Sequence, residues 1–264
     1  MMTNAITAQP PAAYLGGKRN LSRPICAMID ATPHRGYAEP CVGMGGVFFR
    51  RRRRPPVEVI NDLSGDVANF FRVARRHYEP LMDEVAGLLA GRAEFERQKR
   101  IDPTTLTDIE RAARFLYLQR LAFGGRVTGR TFGVRRDQSS RFNVAQLRAD
   151  LRLVRDRLEP VTIEQLPWSD FVRRYDGPGM LFYLDPPYDE TEGYGTDFSR
   201  DDYVAMADQL AGIQGRFILS INGTPFVRDC FARFEIQEVD TTWTLGARHG
   251  GAQRVRELII RNRG

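Results

Sequence analysis

Along the first third of the chain, short apolar runs alternate with amphipathic ones. Leu21 to Ala31 carries its apolar residues at helical spacing and predicts a helix, after which a short strand ends near Glu39-Pro40. The glycine-rich turn Val42-Gly43-Met44-Gly45-Gly46 then opens onto a second predicted helix that begins at Val47. The run Arg50 to Arg54 would end that helix, where cations offset the helix dipole. Val57-Glu58-Val59-Ile60-Asn61 reads as a buried strand closed by Asp62, and Val67, Phe70, Phe71 and Ala74 recur as one face of the helix that follows.

From about Val73 to Pro160 the pattern turns helical and charged. A Thr107-to-Glu110 capping box opens a helix running through Leu121, and Leu147, Leu151, Val154 and Leu158 mark another. Between them, Phe123 to Asn143 is rich in glycine, arginine and polar residues and predicts an exposed loop or hairpin. Alternation then resumes: Met180 to Leu184 is a buried strand, Ser199 opens a helix to about Ala211, and Arg216 to Ile221 is another buried strand. Further strands are expected near Phe234 to Val239 and Glu257 to Ile260. Strands split around a helical block predict a discontinuous α/β domain, residues 1–72 and 161–264, with an inserted lobe at 73–160.

With 264 residues, 42% of them hydrophobic, the chain has enough apolar material for one large domain with an insertion. A formal charge of +6 favours a polyanionic partner, and nearly all of it is arginine, since Lys18 and Lys99 are the only lysines. There is no apolar run long enough to cross a bilayer, and Met1 to Ala13 lacks the features of a signal peptide, so the expected location is the cytoplasm, on the nucleoid, with no membrane partner. Cys26, Cys41 and Cys230 are far apart, and His34, His77 and His249 do not join them at ligand spacing. Neither a disulfide framework nor a metal is expected.

Two features carry chemistry. The turn Gly43-x-Gly45-Gly46 sits where a strand feeds a helix, so a ligand could approach its backbone, and Asp62 ends the next strand where it could accept from ribose hydroxyls. Phe48 stands where the full dinucleotide fingerprint needs a small residue, which leaves a plain tight turn as an equal reading. Sharper is Asp185-Pro186-Pro187-Tyr188, directly after a hydrophobic strand. Its prolines stiffen the turn and hold the carboxylate at the carboxyl edge of the sheet, where ligands of open α/β sheets bind. The competing reading is a turn starter with Tyr188 as a lid on the core.

Taken in order, Tyr14-Leu15-Gly16-Gly17-Lys18, Glu39-Pro40-Cys41-Val42-Gly43-Met44-Gly45-Gly46-Val47-Phe48, Asn61-Asp62, a helical insertion and Asp185-Pro186-Pro187-Tyr188 resemble the Dam-like (alpha-group) DNA adenine N6-methyltransferases. The resemblance covers most of the chain. It implies a Rossmann-like, doubly wound mixed-sheet methyltransferase domain with a mainly helical target-recognition lobe. It implies S-adenosyl-L-methionine as cofactor, with S-adenosyl-L-homocysteine as product and no metal. Tyr14, Gly17 and Lys18 would lie beside the cofactor, the Pro40 to Gly46 loop with Gly43 and Gly45 around its methionine end, Asp62 on its ribose, and Asp170-Phe171 on its adenine ring. A solvated Asp170 at a helix start is an equal reading.

Asp185, Pro186, Pro187 and Tyr188 would be catalytic: the Asp185 carboxylate and the Pro186 carbonyl accept the two hydrogens of the exocyclic amine and localise its lone pair for in-line transfer. The adenine would be flipped out of duplex DNA onto Tyr188, with Phe198 either a pocket wall or a core residue, and Ser220 and Asn222 either pocket or turn. DNA contacts would come from Phe123, Arg126 and Arg130, with Arg135, Arg136 and Arg141 on phosphates or merely solvated. Phe123-Gly124-Gly125 followed by Arg126 departs from the Tyr-Asn-Gly of GATC-specific members, so a GATC target is not implied. Double-stranded DNA is the expected partner, a cognate restriction endonuclease is a second candidate, and a monomer is expected. Three alternatives stay open: cytosine N4, a base in RNA, and a silent DNA-binding regulator.

Overall fold

Seven apolar runs pair into one twisted sheet. In the computed structural model, which describes every residue except 1, 2, 5, 19, 134–136, 138, 192–197, 244–252 and 263–264, these strands are β1 (Gly36–Glu39), β2 (Val57–Asn61), β3 (Thr162–Glu164), β4 (Met180–Leu184), β5 (Arg216–Asn222), β6 (Glu235–Trp243) and β7 (Gln253–Arg261). Their spatial order is β3-β2-β1-β4-β5-β7-β6. The first five are parallel, β7 pairs antiparallel with β5, and β6 pairs antiparallel with β7 to close that edge. This is the doubly wound mixed sheet expected of the sequence.

Strand alternation divides the core between the two faces. Tyr37, Ile60, Leu181, Tyr183, Ile218 and Ile259 face α1 (Ser22–Ala31), α2 (Gly65–Arg76) and the helices that follow it; Ala38, Val59, Phe182, Leu184, Leu219 and Ile260 form a second core on the other face. Between α2 and β3 lie α3 (Tyr78–Ala86), α4 (Arg92–Arg100), α5 (Asp108–Leu121) and α6 (Val144–Leu158). Helix α5 opens with the Thr107–Glu110 capping box and is buried on nearly every face, so the other helices pack around it. These helices share one continuous core with the sheet. Helices α7 (Trp168–Tyr175), α8 (Arg200–Ala211) and α9 (Pro225–Cys230) serve the second face. Ser199 caps α8 as expected.

The helix expected from Val47 does not form. The chain makes a single 3-10 turn, Phe48–Arg50, and Arg51 leaves it in extended conformation. Arg53 and Arg54 then pair antiparallel with Thr3 and Asn4, so the arginine run ends no helix. Arg51 explains the departure. Its guanidinium is buried, stacks 3.4 Å from the centroid of the Tyr37 ring and donates to Glu58 Oε1 at 2.8 Å. Arg157 of α6 reaches the same carboxylate with two bonds of 2.7 Å. A helix continuing from Val47 would have carried Arg51 away from this anchor, and Pro55-Pro56 supplies no backbone donors to extend one.

Glu58 therefore pins the stretch after the glycine turn and the last helix of the insertion to one strand. Removing it strands two buried cations. Glu58→Ala is expected to cost about 3–5 kcal/mol of stability, read by urea unfolding of wild type and variant. A loss below about 1 kcal/mol, the range of exposed pairs, would contradict this.

Candidate active site

The strand order reverses between β1 and β4, from which the chain winds outward in opposite directions. In such sheets the crevice beyond the carboxyl ends at the reversal is where ligands sit. The register places Ala38 beside Phe182 and Glu39 beside Ile60, so the loop after β1, Asp62 after β2 and Asp185 after β4 emerge together. A cavity of about 630 Å³ opens there, within the range of small-molecule sites. Its walls include Tyr14, Gly17, Lys18, Pro40, Gly43, Asp62, Trp168, Asp185 and Phe198.

Asp62 closes the β2 side. Its Oδ2 accepts from the Gly43 amide at 2.8 Å and its Oδ1 from Ser64 at 2.9 Å, so it also fastens the glycine loop. Burial raises its carboxyl to about 6, against the lowering effect of those two amides. Next to it, Asn61 donates to Pro40 O at 2.8 Å and accepts from the Leu166 amide, tying three connections at one strand end. Gly45 has φ +71°, and a Cβ there would lie 2.4 Å from the Phe49 ring. It shapes the turn without lining the cavity.

Asp185 is held from several directions. Lys18 Nζ lies 2.6 Å from its Oδ1 and also donates to Gly16 O at 2.9 Å. Ser220 Oγ reaches the same oxygen at 3.3 Å and bonds the Tyr183 hydroxyl at 2.7 Å. Burial lifts the Asp185 carboxyl to about 6; Lys18 draws it down and Glu257 pushes it further up. Beneath, Glu39 accepts from the Tyr37 hydroxyl at 2.5 Å, and burial raises its carboxyl to about 8. After the two prolines, Tyr203 donates to Pro187 O at 2.5 Å and Asn222 brackets the Asp189 backbone, with bonds of 2.8 Å and 3.1 Å. The turn is thus clamped, and Asn222 acts on it as a brace.

The geometry places the other expected site residues at several points in the fold. Asp170 and Phe171 are not among the cavity walls: Asp170 turns to solvent and pairs with Arg173 at 2.7 Å, while Phe171 is buried in the second core. Trp168 and Ser169 stand at the wall instead. Tyr188 is only 3% exposed; its ring is covered by Lys18 Nζ at 4.5 Å from the centroid, and its hydroxyl donates to Glu257 Oε2 at 2.6 Å. Phe198 lines the cavity and also packs edge-on against Tyr203.

In the insertion, hydrogen bonds from Phe123 N to Thr131 O and from Gly133 N to Leu121 O close a hairpin-like loop. Phe123 is 59% exposed and Arg126 is exposed. Arg130 turns inward, donating to Gln119 Oε1 at 3.1 Å and to Arg126 O. Arg141 donates to Ala122 O at 3.2 Å, and Arg135 and Arg136 lie outside the described residues, as does most of the Gly246 to Gln253 segment.

The sequence marks Glu257 only as a strand residue, and neither its place beside Tyr188 nor the pairing of Lys18 with Asp185 is visible in it. For Glu257 a signal exists: it shares a strand face with buried Ile259, so an acid stands in phase with the core. Among the described residues, no group of three or more His, Cys, Asp or Glu is placed to hold a metal, and no helix is long and apolar enough to cross a membrane.

Residues 14–245 match the model of the D12 class N6 adenine-specific DNA methyltransferases. The chain is 25% identical over 292 residues to the Type II methyltransferase M1.LlaDCHI of Lactococcus lactis subsp. cremoris, covering 100% of this chain and 99% of that protein. It is 26% identical over 220 residues to the DNA N-6-adenine-methyltransferase of Escherichia phage P1, covering 73% of this chain and 27% of that protein. Among solved structures it is similar to the precorrin 8W decarboxylase of Methanobacterium thermoautotrophicum, with a TM-score of 0.42 and 10% identity over the whole of both chains.

The conformation of the glycine turn supplies a test. Gly45→Ala places a side chain at positive φ and against Phe49, and is expected to cost about 2–4 kcal/mol in urea unfolding. A variant as stable as wild type would show that the turn is not built as described.

Proposed function

The chain belongs to the D12 class N6 adenine-specific DNA methyltransferase family, and from that premise we propose how its own residues carry methyl transfer to the adenine amine of DNA. The observation that carries the proposal is the placement of the Asp185 carboxylate at the wall of the cavity, on a clamped proline turn beside the glycine loop and Asp62.

The cavity fits S-adenosyl-L-methionine in size and donor set. Asp62 offers a buried carboxylate for the ribose hydroxyls, Tyr14 and Trp168 offer aromatic walls, and the Pro40 to Gly46 loop offers backbone close to the methionine end. When bound, the cofactor supplies an electrophilic methyl carbon on a sulfonium. An exocyclic adenine amine is a poor nucleophile because its lone pair is spread into the ring. Asp185 and the Pro186 carbonyl accept its two hydrogens, which turns the lone pair toward the methyl group and stabilises the positive charge developing on nitrogen. Orientation supplies much of the remaining rate.

The target base is hydrogen-bonded inside a duplex and must be flipped out to reach Asp185. Phe198 and Trp168 offer aromatic surface at the cavity, and Tyr188 lies behind it beneath Lys18. Residues 73–160 serve as the target-recognition lobe. Phe123, exposed on the hairpin-like loop, would fill the gap left by the flipped base, and Arg126 and Arg141 would contact the DNA beside it. Arg130 braces the loop from inside.

Asp185→Asn is expected to lower kcat by about 100- to 1000-fold while cofactor binding, read by calorimetry, is retained. Retained turnover would end the assignment. The ionised Asp185 is the acceptor, and its carboxyl is raised to about 6. Protonation on the acid side removes the acceptor, so the rate should fall as pH drops through about 6 and level off above it. A rate flat from pH 5 to pH 8 would exclude Asp185 as the titrating acceptor.

A further inference from the structure

Glu257 has no part in the chemistry described so far, yet it sits against it. It is 4% exposed, holds the Tyr188 hydroxyl at 2.6 Å and lies 4.0 Å from Lys18 Nζ. Lys18 in turn covers both Asp185 and Tyr188: it is bonded to Asp185 Oδ1 at 2.6 Å and stands over the Tyr188 ring. The ammonium thus sits on the Asp185 oxygen that would receive an amine hydrogen. It is a compact charge on a flexible stem with three donors, which can exchange one acceptor for another. The distance to Glu257 needs to close by only about 1 Å to become a charged hydrogen bond.

We propose that Glu257 is a positioning residue that gives Lys18 a second anchor: when the target amine enters, the Lys18 ammonium shifts from Asp185 onto Glu257, opening the Asp185 oxygen to the amine. The inference rests on the reading of Asp185 as the amine acceptor. Its physical basis is that a buried ammonium does not leave one carboxylate unless another takes it. Glu257 supplies that second carboxylate within a short shift, from the strand on the far side of β5. Holding the Tyr188 hydroxyl, it keeps the ring in place while the cation slides off.

Among the described residues, the groups facing Asp185 are Lys18 from the N-terminal segment, Glu39 and Cys41 at the end of β1, Tyr183 of β4, Ser220 of β5 and Glu257 of β7. Of these, Glu257 pushes the Asp185 carboxyl up. Glu257→Gln keeps an acceptor for the Tyr188 hydroxyl and removes only the charge. It should therefore lower kcat by about tenfold or more with the cofactor KM within about threefold, while shifting the acid limb of the rate profile to lower pH. A merely loosened fold would not produce that combination.

The measurement is steady-state methyl transfer to duplex DNA across pH 5 to 9 by wild type, Glu257→Gln, Glu257→Asp and Asp185→Asn, with folding checked by circular dichroism. A folded Glu257→Gln with wild-type kcat and acid limb overturns the proposal. If Glu257→Gln does not fold, Glu257→Asp carries the test: the charge stays but is withdrawn by one methylene, so kcat should fall with the acid limb in place, and a wild-type kcat overturns the proposal. Asp185→Asn separates the two readings. Activity in that variant removes the acceptor assignment and this inference with it; an inactive Asp185→Asn beside a wild-type-like Glu257→Gln removes this inference alone.

Discussion

A carboxylate at the end of a buried parallel strand is stable only if other parts of the chain come to meet it, and much of this molecule is arranged around meeting Asp185. Lys18 arrives from the N-terminal segment, Ser220 from β5, and Glu257 stands behind both on β7. None of these is near Asp185 in sequence. Their convergence follows from the strand order, which puts β4 beside β1 on one side and β5 on the other, with β7 next. The N-terminal segment is held in turn by the insertion: Gln119 of α5 donates to Ala13 O at 2.8 Å and the Leu15 amide to Gly125 O at 3.0 Å. The lobe that would meet DNA thus also holds the strand of chain that carries Lys18.

Two buried charge networks do different work. The Glu58 cluster sets Arg51 and Arg157 against one carboxylate and aromatic faces, leaving the buried Nε of each without a hydrogen-bond partner among the described residues, and it fixes architecture. The Asp185 network places the Lys18 ammonium between Asp185 and Glu257 and keeps Asp185 in contact with a cavity. A carboxylate that stays in contact with the cavity is placed to meet a cationic ligand such as a sulfonium, and an amine that becomes positive during transfer.

The sequence makes legible what local periodicity and short motifs record. The strands β1, β2, β4 and β5, the caps of α5 and α8, and the grouping of the glycine turn with Asp62 and Asp185 are all visible in it, because each is set by residues close together in the chain. What fails is what long-range contacts decide. The helix expected at Val47 loses to the anchoring of Arg51 on Glu58, and it is helix phase that sets Trp168 and Ser169, just before Asp170-Phe171, at the cavity wall. Tyr188 is named correctly as part of the turn, but its covered ring and its bond to Glu257 depend on β7, whose pairing no local pattern encodes. The short β3 and the two-turn α9 carry too little periodicity to be seen.

The most direct test of the account is the chemical identity of the product. Purified protein is incubated with labelled S-adenosyl-L-methionine and mixed-sequence duplex DNA, with structured RNA in parallel, and the nucleosides are separated after digestion. The account predicts label in N6-methyladenine from DNA. Label in N4-methylcytosine, or in RNA alone, would contradict it.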